Sequence, residues 1–225
     1  SPYKSPTDMG VNMAGNCIFD DEACCEASKQ EIIRRYYKSL CEKRRKGTTK
    51  DDIYKLELLM KQAEITVEDR KVTIAALEKE KATDEKPAVA IELPDGRIIT
   101  GGTSELLGAA SSALLNALKV LGDIEDDIKL IDPKAIEPIQ ALKINYLGSR
   151  NPRLHTDEVL TALSSTASYS EVAALAMRQL PLLKGCDAHS TVLLSSVDEQ
   201  ILKKLGIQLT CEPRYEEDER MYHKH

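Results

Sequence analysis

Ala88-Val89-Ala90-Ile91-Glu92-Leu93-Pro94-Asp95-Gly96-Arg97-Ile98-Ile99-Thr100 is the stretch that decides the fold class. Its first six residues, apolar but for Glu92, read as a strand. Pro94-Asp95-Gly96 then reads as a turn, because Pro presets φ and Gly accepts a positive one. Arg97 to Thr100 returns as the second strand of a hairpin. Two further strands are read downstream. Ala188–Leu194 and Ile207–Cys211 supply them, separated by a helix that opens on the capping pattern Ser196-Val197-Asp198-Glu199 and ends near Gly206. A crossover of about a dozen residues suits a parallel β-α-β connection. The expectation is an α/β (α+β) domain with a small mixed sheet packed with helices.

Between hairpin and crossover the period is helical. A long helix is expected from Glu105 to about Leu121, rich in Ala, Gly and Ser and apolar almost all round. A short strand is expected at Ile128–Ile131. Asp132-Pro133 opens another helix, with Pro well placed at its first position, although Pro138 is expected to bend or split it. Gly148 to His155 is a loop. Helices follow from Thr156 or Asp157 to about Ala167, and from Ser170 to Leu180.

Upstream of the hairpin, residues 21–86 read as a helical region of three helices, from Asp21, after Thr49 and from about Val67. Residues 1–20, with Pro2, Pro6, Gly10 and Gly15, have no period and read as an extended linker or interface segment. The charged run from Lys79 to Lys86 marks the expected boundary with the α/β domain at 87–215, and residues 216–225 form a charged tail.

Composition narrows the function classes. The net charge is −6 over 225 residues, and all of the deficit lies after residue 86. An acidic α/β part argues against a broad nucleic-acid footprint. The basic run Lys43-Arg44-Arg45-Lys46 before Gly47 is read as a helix C-terminus complementing its dipole. No segment is apolar enough to be read as membrane-spanning. The six cysteines show no framework spacing, and Cys24-Cys25 are adjacent on a helix. Free thiols in a reducing, cytoplasmic setting are expected.

Three groups carry candidate chemistry. Gly101-Gly102-Thr103-Ser104 lies between a strand and a helix. It either cradles an anion on helix N–H groups or forms a tight turn with an N-cap. Arg150, Arg153 and His155 share a loop that opens a helix. Two guanidiniums there make a receptor for phosphate or carboxylate, and His155 titrates near neutrality. The alternative is that the arginines pair with acidic groups of the same domain. Cys186, His189 and Cys211, with Ser190 and Thr191, form the third. They are read either as a weak zinc or nucleophile set with hydroxyls for a ligand, or as buried structural residues. His155 and His189 are the candidate acid–base residues. No cofactor is required by the sequence.

The runs SPYKSPTDMGVNMAG (1–15), ASKQEIIRRYYK (27–38), AIELPDGRI (90–98), YLGSRNPRLHTDEVL (146–160), GCDAHSTV (185–192) and LTCEP (209–213) resemble the C-terminal half of the domain-of-unknown-function 1846 family. The resemblance implies a bacterial, cytoplasmic protein with no established activity. It further implies a chain cut from one about twice as long, whose N-terminal half carries a phosphate-loop-like segment and would be this chain's partner. It supplies no catalytic residues. The chain has no His-Glu-x-x-His motif, so no peptidase chemistry is carried over.

These readings yield two expectations of function. One is the accessory, substrate- or anion-binding half of a nucleotide-using enzyme, holding a small anionic ligand. The other is a structural module that forms homo-oligomers.

Overall fold

The computed structural model describes residues 21–48 and 52–216. The expected extended segment 1–20, and the tail beyond Glu216, lie outside them. The chain forms two compact units, residues 1–71 and 72–225.

In the first unit, α1 (Asp21–Lys46) and α2 (Ile53–Gln62) precede a 3-10 turn at Val67–Asp69. Asp21 and Glu22 sit in the first turn of α1 and all four basic residues of the Lys43–Lys46 run in its last, as the dipole favours. Gly47 ends the helix at φ 74°, its N–H bonded to the Lys43 carbonyl. Ile33, Tyr37, Met60 and Ile65 form the unit's apolar cluster.

The second unit begins with α3 (Lys71–Ala82), followed by β1 (Ala88–Glu92), β2 (Ile98–Gly102), α4 (Ala109–Leu121), α5 (Pro133–Asn145), α6 (Thr156–Ala167), α7 (Glu171–Arg178), β3 (Asp187–Ser190), α8 (Ser196–Lys204) and β4 (Gln208–Cys211). Strand order is β2-β1-β3-β4. β1 is antiparallel to both neighbours, and β3 and β4 are parallel across α8. The sheet is mixed, as expected. The hairpin turn closes with the Leu93 N–H on the Arg97 carbonyl and Gly96 at φ 83°.

Successive strand residues face opposite sides of the sheet. Val89, Ile91 and Ala188 join the main core with Ala113, Leu114, Ala117 and Leu118 of α4 and with residues of α6, α7 and α8. Ala90 faces the other way, onto Val72 and Ala76 of α3. This packing places α3 with the sheet, so the division between units falls at Lys71–Val72 and not at Lys86.

Four local expectations need correction. The central helix starts at Ala109, not Glu105, because Leu107 pairs with Leu154 in an isolated parallel bridge and Gly108 is still extended. Residues 128–131 form no strand; Leu130 and Ile131 are buried as loop residues that plug the core. Pro138 does not split α5, which runs unbroken at the cost of one hydrogen bond. β3 ends at Ser190 and does not reach Leu194, because the Ser190 hydroxyl donates to the Val192 carbonyl and turns the chain.

Candidate functional site

The N-termini of α4, α6 and α8 line one cleft of the second unit, beyond the carboxyl end of β3. Parallel strand–helix units commonly bind ligands at this end. The walls include Thr103, Ala109, Asn151, Arg153, His155, Ser195, Asp198 and Glu216. The cavity is about 40 Å³, room for about three water-sized groups.

His155 is the N-cap of α6, and its own N–H donates to Glu158 Oε2 at 2.8 Å. Glu158 is held in turn by Lys143, whose buried ammonium donates to it at 2.8 Å and to the Arg153 carbonyl at 2.6 Å. The loop before α6 is thereby fixed from beneath. Asn151 tightens it further, its side-chain oxygen accepting the Arg153 N–H at 3.0 Å.

Asp198 joins α6 to α8. Its Oδ1 accepts the Thr156 N–H and hydroxyl, both at 2.8 Å. Its Oδ2 lies 2.9 Å from His155 Nδ1 and accepts the Ser195 hydroxyl at 2.8 Å. Ser195 is the N-cap of α8 and takes the Asp198 N–H in return. The Asp198 contact holds the His155 imidazole above its ordinary value of 6.5, against the opposing effect of burial. For Asp198, burial is the largest influence and pushes upward, but the His155 and Thr156 contacts together outweigh it and hold the carboxyl below 3.8. With Nδ1 committed to Asp198, Nε2 is the ring atom left for a ligand. Ser195 Oγ approaches Nδ1, at 3.4 Å, and not Nε2. The trio is an oriented histidine, not an activated serine nucleophile.

Of the predicted residues, Thr103, Arg153 and His155 are brought together on this cleft. Arg153 Nη1 pairs with Glu216 Oε1 at 2.8 Å. Arg150 is exposed and is not among the cleft's lining residues. Gly101 and Gly102 belong to β2 and do not open a helix. Gly101 serves packing, since any Cβ there would overlap the backbone of α4 at Ser112 and Ala113. Ser104 bonds Leu107, closing the turn. α4 itself starts on Gly108, which offers no side-chain cap, and Ala109 and Ala110 of its first turn are among the cleft's lining residues.

The third group is dispersed. His189 is fully buried in β3, paired with Ala90 on the α3 face, with Nδ1 2.8 Å from Thr210 Oγ1 and Nε2 3.3 Å from Glu212 Oε1. Cys186 precedes β3, whereas Cys211 pairs with Ser190 at its far end. The parallel register therefore holds the two thiols apart, and among the described residues no group of three or more His, Cys, Asp or Glu is placed to hold a metal ion. Burial pushes the Cys186 thiol up, with Asp187 and Glu92 adding to the effect, so it is not an activated nucleophile. Ser190 and Thr191 are buried; Thr191 accepts the Ala88 N–H. They shape the loop behind the cleft and do not line it.

Asp198, Ser195, Asn151 and Glu216 were not among the sequence candidates. Asp198 had a signal. Ser195-Ser196-Val197-Asp198-Glu199 holds two overlapping capping patterns, and the structure uses the earlier one.

Among the described residues no helix is long and apolar enough to cross a membrane. Residues 68–222 match the model described as domain of unknown function DUF1846, C-terminal. Residues 1–64 match that of DUF1846, N-terminal. The two matches meet within a few residues of the division between units. The expectation of a C-terminal half alone is thereby corrected, because the first 64 residues carry an N-terminal-domain match. Residues 1–64 are thus themselves matched by the family's N-terminal model. A UPF0371 protein of Corynebacterium urealyticum is 56% identical over 215 residues, covering 96% of this chain and 43% of that protein. One from Streptococcus sanguinis is 53% identical over 224 residues, covering 100% and 45%. The chain thus spans less than half the length of these bacterial relatives. With residues 68–222, more than half of the chain, matched by the C-terminal model and residues 1–64 by the N-terminal one, the chain belongs to the DUF1846 family.

Proposed function

We propose that the cleft binds a small anionic group, phosphate or carboxylate, and that His155 exchanges a proton with it. The observation that carries this reading is the pairing of Arg153 with an Asp198-oriented His155 at three helix N-termini. Arg153 supplies a guanidinium fork for anion oxygens. The side-chain-uncapped start of α4 adds N–H donors and a favourable dipole. His155 presents Nε2 as hydrogen-bond donor when protonated and as base when neutral. A nucleotide is a larger member of the same ligand class, bound through its phosphates, and needs the cleft to open beyond its present 40 Å³. Calorimetric titration with inorganic phosphate, propionate and ATP tests the reading. Binding that is lost in Arg153→Ala, while the circular dichroism spectrum is kept, supports it. No binding by any of the three overturns it.

A second reading, an oligomerisation module, rests on one surface. Leu142, Ile144, Tyr146 and Leu147 lie exposed together at the end of α5. Sedimentation velocity of wild type and Leu147→Asp separates the two. A concentration-dependent oligomer that the substitution dissolves favours the module; a monomer throughout removes it.

A further inference from the structure

We infer that Glu216 is a built-in competitor for the cleft's anion, and that the anion which displaces it carries more acceptor oxygens than a simple carboxylate. This rests on the proposed function and adds its control and its ligand class. After β4 the chain is strapped along the cleft wall. The Glu212 N–H donates to the Ser190 carbonyl at 2.9 Å and the Leu193 N–H to the Arg214 carbonyl at 2.7 Å. The Arg214 side chain then anchors the strap twice, through Nε to the Thr191 carbonyl and through Nη2 to Glu80 of α3. Two residues on, Glu216 reaches into the cleft and takes Arg153 at 2.8 Å. The two side chains are only 27% and 15% exposed, so the pair belongs to the cleft and not to the solvent-facing rim. In sequence Glu217, Asp218 and Glu219 follow, giving a run of four carboxylates from Glu216.

A carboxylate on a guanidinium is the contact the cleft's anion must make. Glu216 therefore stands where the ligand's charge would sit, and binding requires its release. The closed pair lowers the apparent affinity by the fraction of molecules that are open. A monocarboxylate replaces like with like and gains little. An anion with further oxygens for His155 Nε2 and the α4 N–H groups gains contacts that Glu216 does not make. A phosphate or phosphate monoester meets that description.

The experiment is calorimetric titration of the full chain with inorganic phosphate and with propionate, for wild type, Glu216→Gln, Glu216→Ala and Arg153→Ala. Glu216→Ala covers the case in which glutamine still bonds Arg153. The expected result is phosphate binding about tenfold tighter in Glu216→Ala than in wild type, an order of magnitude matching a closed fraction of about nine-tenths. Phosphate is expected to exceed propionate throughout. If wild type binds phosphate through Arg153 and neither Glu216 variant tightens it, the inference falls and the proposed function stands. If propionate binds as well as phosphate, the ligand class is wrong. If no form binds either probe, the proposed function fails and the inference fails with it.

Discussion

Gly101→Ala and Gly102→Ala are neighbouring substitutions with very different expected costs. At Gly101 an added Cβ would overlap Ala113 N and lie 2.5 Å from Ala113 Cα and 2.6 Å from Ser112 C. All three are backbone atoms of α4, so no rotamer change relieves the clash. Ordinary contact begins near 3.4 Å, and helix and strand must therefore separate by about 1 Å. Ala113, Leu114, Ala117 and Leu118 are each fully buried on that helix, and a shift loosens all of them. Overpacking alone costs about 1–3 kcal/mol, and the lost packing of four core residues brings the expected total to about 4 kcal/mol. At Gly102 the nearest atom is Lys79 Cε at 3.8 Å, so the expected cost is under about 0.5 kcal/mol. The protein has no Trp, so urea unfolding followed by far-UV circular dichroism is the assay. A Gly101→Ala variant within 1 kcal/mol of wild type would refute the packing role assigned to this glycine. Equal costs at the two positions would do the same.

Two further predictions concern the polar frame of the cleft. Asp198→Asn keeps the shape and removes the charge facing His155. His155 is held above 6.5, so its share of the ion pair is complete below that pH and fades as pH rises through the folded-state value. Asp198 is held below 3.8, so its share is complete above that pH and fades as pH falls through its own folded-state value. The stability gap between wild type and variant is thus widest between about pH 4 and 6.5, at about 2 kcal/mol. Denaturation curves across pH 3–9 check it, and a gap that widens steadily above pH 7 contradicts the assignment. Lys143→Met takes the cation from Glu158, which keeps the His155 N–H, and leaves the Arg153 carbonyl without that donor. It is expected to cost about 3 kcal/mol and to speed amide exchange at Arg153–His155, read by hydrogen-exchange mass spectrometry; unchanged exchange there would show that Lys143 does not fix the loop.

The strands and the crossover were legible because local signals agreed with the fold. Pro94-Asp95-Gly96 supplies turn chemistry, and the alternate residues of β1 find separate cores on separate faces. The α4 start departs from its local signal because the sequence is good helix from Glu105, yet Leu107 is taken by a tertiary bridge to Leu154, 47 residues downstream. No local propensity carries that information. Pro138 misled for the opposite reason, since a local penalty was outweighed by the packing of a helix whose Ile136 is buried. In the site, Arg153 and His155 stood out because charged residues before a helix are conspicuous. Asp198 did not, because a carboxylate three residues after a serine is ordinary capping chemistry. That it also faces His155, 43 residues away, depends on α6 and α8 meeting in space. Gly101 leaves an anion cradle and a tight turn both open in sequence, because a glycine that admits a helix backbone and one that admits a phosphate look the same there.

The double duty of Asp198 bears on how genetics would see this protein. The same carboxylate that aims His155 also ties the first turn of α6 to α8. In a cell, a lesion there lowers the amount of protein and the competence of each molecule together, and a phenotype cannot be apportioned between them. Arg153 meets Glu216 on the cleft wall and crosses no such seam. On the proposed reading, variants at Arg153 would leave abundance nearly untouched while weakening anion binding. A library scored for both quantities would put the two residues in different quadrants, and that separation distinguishes a ligand contact from a rivet of the scaffold.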